Sequence, residues 1–215
     1  MKFETGVLSC AVIVNIFETA EVLGVVAAAL GGFYVASREK LDLLGAFIAS
    51  FCSALGGGLI RDALASRTPY AFTNLWPPLA VLAVVTVAIL LKLHRHDKIE
   101  RTKIFLVCDT LGLVSFAIAG ALVGLEKEYN VFGVVMLGVI TAVGGSTLRD
   151  ILLNRMPFCL IGDFYASVAI LVSLAMFALH YYKFANIPTI TAVFAAGVCV
   201  RLWAYHRKWS LPKIG

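Results

Sequence analysis

Two short segments of this chain place charged side chains in otherwise apolar surroundings. In each, three consecutive small residues are followed, after two further positions, by an arginine and an aspartate. A charged side chain at the centre of a membrane costs at least about 2.5 kcal/mol, so such residues usually border a path for ions or solutes. We therefore expect the four charges to face aqueous vestibules, one pair from each side of a membrane; the alternative is an interfacial position with the charges solvated. The residues are Gly56, Gly57, Gly58, Arg61 and Asp62 in the first segment, and Gly144, Gly145, Ser146, Arg149 and Asp150 in the second.

The small residues themselves have two interpretations. Three in succession leave a helix backbone with little side-chain cover and lower the cost of bending it, and a bent helix can present backbone groups to a wet cavity. Alternatively, small residues let two helices pack closely. Because both triplets precede an arginine and an aspartate, we expect bent helices at both places. Three hydroxyl residues nearby, Ser53, Thr141 and Thr147, either line a wet path or bond to helix carbonyls.

Two further acids lie in the apolar runs that precede these segments. Glu21 and Asp109 are placed to attract cations to a pore mouth, although Asp109 follows Lys103 by only six residues and so has a headgroup-level position as its alternative. The sequence contains no catalytic constellation, phosphate-binding loop or paired metal motif. We therefore expect neither an enzyme nor a bound metal or cofactor.

The two segments belong to a longer internal repeat. A gapless shift of 88 residues places residues 56–69 on residues 144–157, with seven identities in 14 positions, and sets the two further acids opposite each other. A chance match of this kind is improbable, so the chain is predicted to contain a duplication. By the symmetry of the copies, each arginine is expected to pair with the aspartate of the other copy. The expected pairs are Arg61 with Asp150 and Arg149 with Asp62.

Composition defines the class of protein. Sixty per cent of the 215 residues are apolar, 14% are charged, and the mean hydropathy is +0.91, which excludes a disordered chain and an ordinary soluble enzyme. Apolar runs of this length are typical of membrane-spanning helices, since barrel strands are about half as long and alternate. The fold is predicted to be all-α and to cross a membrane with seven helices, at about residues 6–36, 41–64, 76–93, 104–125, 131–153, 164–182 and 188–205.

The repeat determines how these helices are arranged. The first repeat covers about residues 15–93 and the second about 103–182, with three helices in each. Because three is odd, the second copy enters the membrane from the opposite face, which makes the repeats an inverted pair. The seventh helix, at about 188–206, is an unpaired addition to this single transmembrane domain.

Basic residues predict the orientation. Thirteen of the 18 lysines and arginines fall on the side that holds the carboxyl end, and five on the other side. Because cytoplasmic loops carry the excess of basic residues, the carboxyl end is expected in the cytoplasm and the amino end outside, in the cell (inner) membrane. The net charge of +5 therefore indicates membrane orientation and contact with lipids, not a nucleic-acid partner.

At the two Gly-rich segments, with the arginine, aspartate, arginine and proline of each, the chain resembles prokaryotic members of the trimeric intracellular cation (TRIC) channel family. The resemblance covers about residues 15–208. It implies a homotrimer with a pore in each protomer, bends at the two triplets in the second and fifth helices, and passage of monovalent cations, with potassium prominent. The chain departs from the pattern at Ser146, where a third glycine is common, and at Glu21, where aspartate is more usual.

Three functions follow from these features. The first is passive permeation of potassium, and also of sodium, through a wet constriction where a cation exchanges its hydration water for backbone dipoles and hydroxyl groups. Arg61 and Arg149 oppose cations unless aspartates neutralise them. The second is a secondary transporter of a small solute such as an amino acid, because inverted repeats are equally typical of carriers. The third is a scaffold without flux.

Overall fold

The chain folds into helices. A computed structural model describes residues 10–93, 98–161, 164–207 and 209, and within this part of the chain every regular element is helical. The first four residues of the first predicted span lie outside the described residues. The helices are α1 (Cys10–Arg38), α2 (Leu43–Leu64), α3 (Tyr70–Thr73), α4 (Trp76–Leu90), α5 (Lys98–Glu126), α6 (Val131–Leu152), α7 (Phe158–Ile161), α8 (Tyr165–Tyr181) and α9 (Ile187–His206).

The seven longer helices correspond to the seven predicted spans, but they are not equally long. Five of them, α1, α2, α5, α6 and α9, are long and apolar enough to cross a membrane. The remaining two, α4 and α8, have only 15 and 17 residues. At 1.5 Å per residue they rise about 22–26 Å, less than a hydrocarbon core of about 30 Å. The all-helical membrane fold is as predicted, whereas helix length alone establishes five spans, not seven.

Helix starts recur at the 88-residue offset. Asp42 caps α2 by accepting a hydrogen bond from the backbone N–H of Gly45 at 2.7 Å, and Asn130 caps α6 through Gly133 at 2.9 Å. A side-chain oxygen at this position satisfies an N–H that has no partner within the helix. The two capping residues lie 88 positions apart. The first and last residues of α2 and α6 are related by the same offset.

Helix packing repeats in the same way. Helix α1 packs on α2, and α5 packs on α6, at equivalent glycines. A Cβ atom at Gly32 would lie 2.7 Å from the Cα of Ser50, and one at Gly120 would lie 2.8 Å from the Cα of Gly138. In each half a shorter helix, α4 or α8, covers this pair. Helix α9 packs on α8 and α5, so the added helix lies beside the second repeat.

Candidate functional site

The equivalent helices of the two repeats, α2 and α6, contact each other directly. A Cβ atom at Gly57 would overlap the carbonyl oxygen of Thr141, and one at Gly145 would overlap that of Ser53. Only glycine lets the two backbones approach this closely. Ser53 precedes Gly57 on α2, whereas its partner Gly145 follows Thr141, the partner of Gly57, on α6. The two helices are therefore antiparallel, as an inverted pair of repeats requires.

Helical structure continues through both small-residue triplets. Helix α2 runs from Leu43 to Leu64 and α6 from Val131 to Leu152 without interruption. The bends expected at Gly56, Gly57 and Gly58, and at Gly144, Gly145 and Ser146, stay predictions. Close helix packing, the other interpretation of these residues, is what the structure has at Gly57 and Gly145. Backbone groups pressed against another helix cannot exchange their helical hydrogen bonds for water, which accounts for the continuous helical structure.

The hydroxyl groups near the second triplet bond to the helix backbone. Ser146 Oγ donates to the carbonyl of Val143 at 3.0 Å, and Thr147 Oγ1 donates to the same carbonyl at 2.7 Å. Thr141 Oγ1 bonds to Leu137 in the same manner, at 2.6 Å. These contacts match the alternative given for such residues, in which a hydroxyl bonds to its own helix.

Site A consists of Glu21, Arg61, Asp62 and the start of α3. Arg61 donates from Nε to Asp62 Oδ1 at 2.8 Å and from Nη2 to Asp62 Oδ2 at 3.2 Å. Its Nη1 donates to Glu21 on α1. The second oxygen of Asp62 also accepts from the backbone N–H of Tyr70, at 2.7 Å. One guanidinium therefore ties α1 to α2, and the aspartate ties α2 to the following short helix.

Site B consists of Asp109, Arg149, Asp150 and Tyr165. Arg149 donates to Asp150 Oδ1 from Nε at 2.9 Å and from Nη2 at 2.7 Å, while its Nη1 reaches Ser53 Oγ at 3.2 Å. Asp109 accepts a hydrogen bond at 3.0 Å from Tyr165, not one from the arginine. Aspartate is one methylene shorter than the Glu21 that occupies the equivalent position in site A. The two sites therefore share a plan but differ in how the acid is held.

The pairing predicted between the two copies is wrong. Arg61 pairs with Glu21 and Asp62, and Arg149 pairs with Asp150, so both arginines are neutralised within their own repeat. The reason is the length of the arginine side chain, which folds back onto the carboxylate of the next residue. The antiparallel crossing also places sites A and B beyond opposite ends of the glycine contact.

Burial decides where these charges lie. Arg61 is 0% exposed and Arg149 is 3% exposed, and both aspartates and Glu21 are equally buried. Asp109, at 9%, is also buried. The arginines are therefore enclosed by protein and not solvated, whereas the depth of these residues in the membrane, including a headgroup-level position for Asp109, stays a prediction. Because an unpaired buried charge is costly, the carboxylate partners are what permit buried guanidinium groups.

Each site borders a small cavity. The cavity at site B has a volume of about 20 Å³, and its polar lining consists of Asp109, Arg149, Tyr165, Ser53 and Ser146. The cavity at site A, of about 10 Å³, reaches Gly58 and Pro77. A cavity of this size holds about one water molecule. Oδ2 of Asp109 accepts no hydrogen bond, although it is buried at the larger cavity. Among the described residues, no three potential ligands of the His, Cys, Asp or Glu type are arranged for a metal.

Two contributors to site B were not identified from the sequence. Tyr165 was counted only as part of an apolar run, and Arg201 only as one of the basic residues near the carboxyl end. Arg201 is buried on α9, with its guanidinium carbon 4.9 Å from the centroid of the Tyr165 ring. The available signal was a single arginine within an otherwise apolar helix, without the following aspartate that singled out Arg61 and Arg149.

Comparisons with known proteins cover nearly the whole chain. A family model described as "Glycine transporter" matches residues 18–95 and 106–181. The UPF0126 membrane protein YvgT of Bacillus subtilis is 31% identical over 91% of this chain and 95% of its own length. The UPF0126 inner membrane protein YadS of Escherichia coli is 30% identical over 89% of this chain and 93% of its own.

Solved structures share the fold. A TRIC cation channel, solved to explain its conductance, aligns with a TM-score of 0.81 at 31% identity and covers 93% of this chain and 97% of its own. The TRIC trimeric intracellular cation channel orthologue from Rhodobacter sphaeroides aligns with a TM-score of 0.83 at 28% identity, over 90% of this chain and 99% of its own.

Proposed function

Since the chain belongs to the TRIC and UPF0126 family of membrane proteins, we propose that it is a channel that passively conducts monovalent cations, potassium and also sodium, across the inner membrane. The observation that carries this proposal is the arrangement of two small cavities beyond opposite ends of the α2–α6 contact, each bordered by a buried arginine and at least one buried carboxylate. Its support from the comparisons is the 31% identity to a solved cation channel over 93% of the chain.

The proposed passage runs from one cavity to the other, past the glycine contact. In the present conformation the cavities measure about 20 and about 10 Å³, too small for a hydrated cation. Conduction therefore requires α2 and α6 to separate. A cation then exchanges hydration water for the carbonyl and hydroxyl groups that are released.

Neutralised arginines fit a cation pathway. A free guanidinium beside the passage would repel cations and favour anions. Arg61 and Arg149 instead donate to carboxylates of their own repeats, which cancels their charge over short distances. Asp109, which keeps an oxygen without a hydrogen-bond donor at the larger cavity, would attract a cation there.

We further propose a homotrimer in the inner membrane, surrounded by lipid, with the amino end outside and the carboxyl end in the cytoplasm. The trimer rests on the neighbour from Rhodobacter sphaeroides, which is trimeric by name. Chemical crosslinking of the purified protein should give species up to three subunits and none larger. A crosslinked ladder that ends at two subunits would contradict the trimer.

A carrier for a small zwitterion is the second candidate. The description of the family model as a glycine transporter favours it. The chemistry of site B would suit such a solute, because a guanidinium can bind its carboxylate and Asp109 its ammonium group. A carrier of this kind would also have to widen its cavity, since glycine is larger than one water molecule.

Reconstitution distinguishes the two functions. Purified protein in planar bilayers, with KCl on one side and NaCl on the other, should show single-channel steps. In a KCl gradient, the reversal potential should lie on the cation side, near the equilibrium potential of potassium and not that of chloride. Proteoliposomes loaded in parallel should show no saturable uptake of labelled glycine. Reversal on the anion side, or saturable glycine uptake without current steps, would overturn the channel. Empty vesicles and vesicles with heat-denatured protein serve as controls.

A further inference from the structure

Helix α9 lies outside the two repeats, yet it contributes a buried charge next to site B. The side chain of Arg201 is 1% exposed, and its guanidinium carbon lies 4.9 Å from the ring centroid of Tyr165 and 5.9 Å from that of Phe158. The hydroxyl of Tyr165 in turn donates to Asp109 Oδ1 at 3.0 Å. The side chain of Tyr165 therefore contacts both the arginine, through its ring, and the acid of site B, through its hydroxyl.

Site A also has a second arginine, but this one comes from the same repeat as the rest of the site. It is Arg67, just after the end of α2, and its Nε lies 3.5 Å from Asp62 Oδ1. Its side chain is 26% exposed, so it is within reach of salt ions. The equivalent residue of the second repeat, Arg155, pairs instead with Glu39, at 3.2 Å. Site B thus has no second arginine from its own repeat, and the helix added after the duplication brings Arg201 instead.

We propose that Arg201 is a selectivity-determining residue, which sets the charge of site B and through it the preference for cations at that end of the passage. This inference rests on the proposed channel function. With Arg201, each site combines two buried carboxylates and two guanidinium groups. Without it, site B would carry an uncompensated carboxylate beside its cavity. The residues of the two sets are Glu21, Asp62, Arg61 and Arg67, and Asp109, Asp150, Arg149 and Arg201.

The two second arginines should respond differently to salt. Counterions screen a charge that is exposed to water, and they screen a buried charge much less. Arg67 is partly exposed and Arg201 is not. The contribution of Arg201 to selectivity should therefore persist at high ionic strength, whereas that of Arg67 should fade.

A set of charge variants tests this role. In planar bilayers with a KCl gradient, R201Q should raise the ratio of potassium to chloride permeability at least about tenfold, because a unit charge about 10 Å from the ion, at an effective dielectric constant near 20, disfavours potassium and favours chloride by about that factor each. R201K keeps the charge and should behave as the wild type. D109N should lower the ratio, and the double variant R201Q/D109N should return it towards the wild-type value. R67Q, the matched control in site A, should raise the ratio at 0.05 M salt and lose that effect at 1 M.

Each outcome decides the proposal. Equal permeability ratios in folded R201Q and wild type, or the same change in R201K as in R201Q, would overturn it. If R201Q does not fold but the double variant does, the charges of Arg201 and Asp109 compensate each other, which supports the proposal. If neither variant folds, an unchanged permeability ratio in D109N overturns the proposal, because Asp109 is the carboxylate through which Arg201 is proposed to act. A wild-type chain without current overturns the channel and this inference together, whereas an unaltered cation current in every variant overturns this inference alone.

Discussion

Glu21 on α1 accepts a hydrogen bond from Nη1 of Arg61 on α2, and both side chains are buried. This bond is the direct link between a carboxylate on the first helix of a repeat and the arginine on the second. The second repeat holds its shorter Asp109 through Tyr165 instead. The acids at these equivalent positions of the two repeats differ by one methylene group, and the longer one bonds to the arginine of its site whereas the shorter one bonds to a tyrosine.

Removing the charge of Glu21 should destabilise the protein. In E21Q the guanidinium of Arg61 stays buried with one carboxylate fewer, and breaking a buried ion pair in this way costs about 3 kcal/mol. We expect a lower midpoint of thermal unfolding in detergent. E126Q is the matched control, because Glu126 pairs with Arg67 at an exposed position, where a pair contributes about 0–1 kcal/mol. Equal midpoints for the two variants would contradict the structural role of the buried pair.

Alanine at Gly57 should be far more harmful than alanine at Gly58. A Cβ at Gly57 would overlap the carbonyl of Thr141, and overpacking of this kind costs about 1–3 kcal/mol. At Gly58 the nearest atom to a Cβ would be Nη2 of Arg61, at 3.6 Å, an ordinary contact distance. G58A should therefore keep or slightly raise stability, since alanine favours helix by about 1 kcal/mol over glycine. Thermal unfolding of both variants measures this difference; a harmless G57A would mean that α2 and α6 are not in backbone contact.

Coupling energies should follow the repeats. In a double-mutant cycle, changes at Arg61 and Glu21 should be coupled by about 1–3 kcal/mol in stability, because the two side chains are bonded. Changes at Arg61 and Asp150 should add within about 0.5 kcal/mol, because these residues have no common partner. The cycle is measured by unfolding in detergent. Strong coupling between Arg61 and Asp150 would restore the pairing between the copies.

The carboxyl end should lie in the cytoplasm. The excess of basic residues on that side predicts it, since such residues remain on the cytoplasmic side during insertion. A green fluorescent protein fused after residue 215 should therefore fluoresce in cells, and an alkaline phosphatase fused at the same point should be inactive. The opposite pair of results would invert the predicted topology.

Several features of the molecule could be predicted because they depend on residues close together in the chain. The predicted spans at residues 41–64 and 131–153 agree with α2 and α6 within two residues at each end. Apolar length, capping residues and prolines act locally, so they can be recognised without knowing the fold. The 88-residue offset likewise depends only on comparing the chain with itself.

The partners of the charged residues depended on the tertiary structure. Neighbouring residues on a helix project in different directions, so a bond between Arg149 and Asp150 does not follow from helix geometry, yet the long arginine side chain folds back to make it. The close contact of α2 at Gly57 depends on the backbone that packs against it, and the approach of Arg201 to Tyr165 depends on where α9 lies. Sequence alone determined which residues are charged, small or apolar and, to within about six residues, where the seven longer helices begin and end. Which of them meet was decided by the distances between helices and by side-chain length, neither of which is encoded by local spacing.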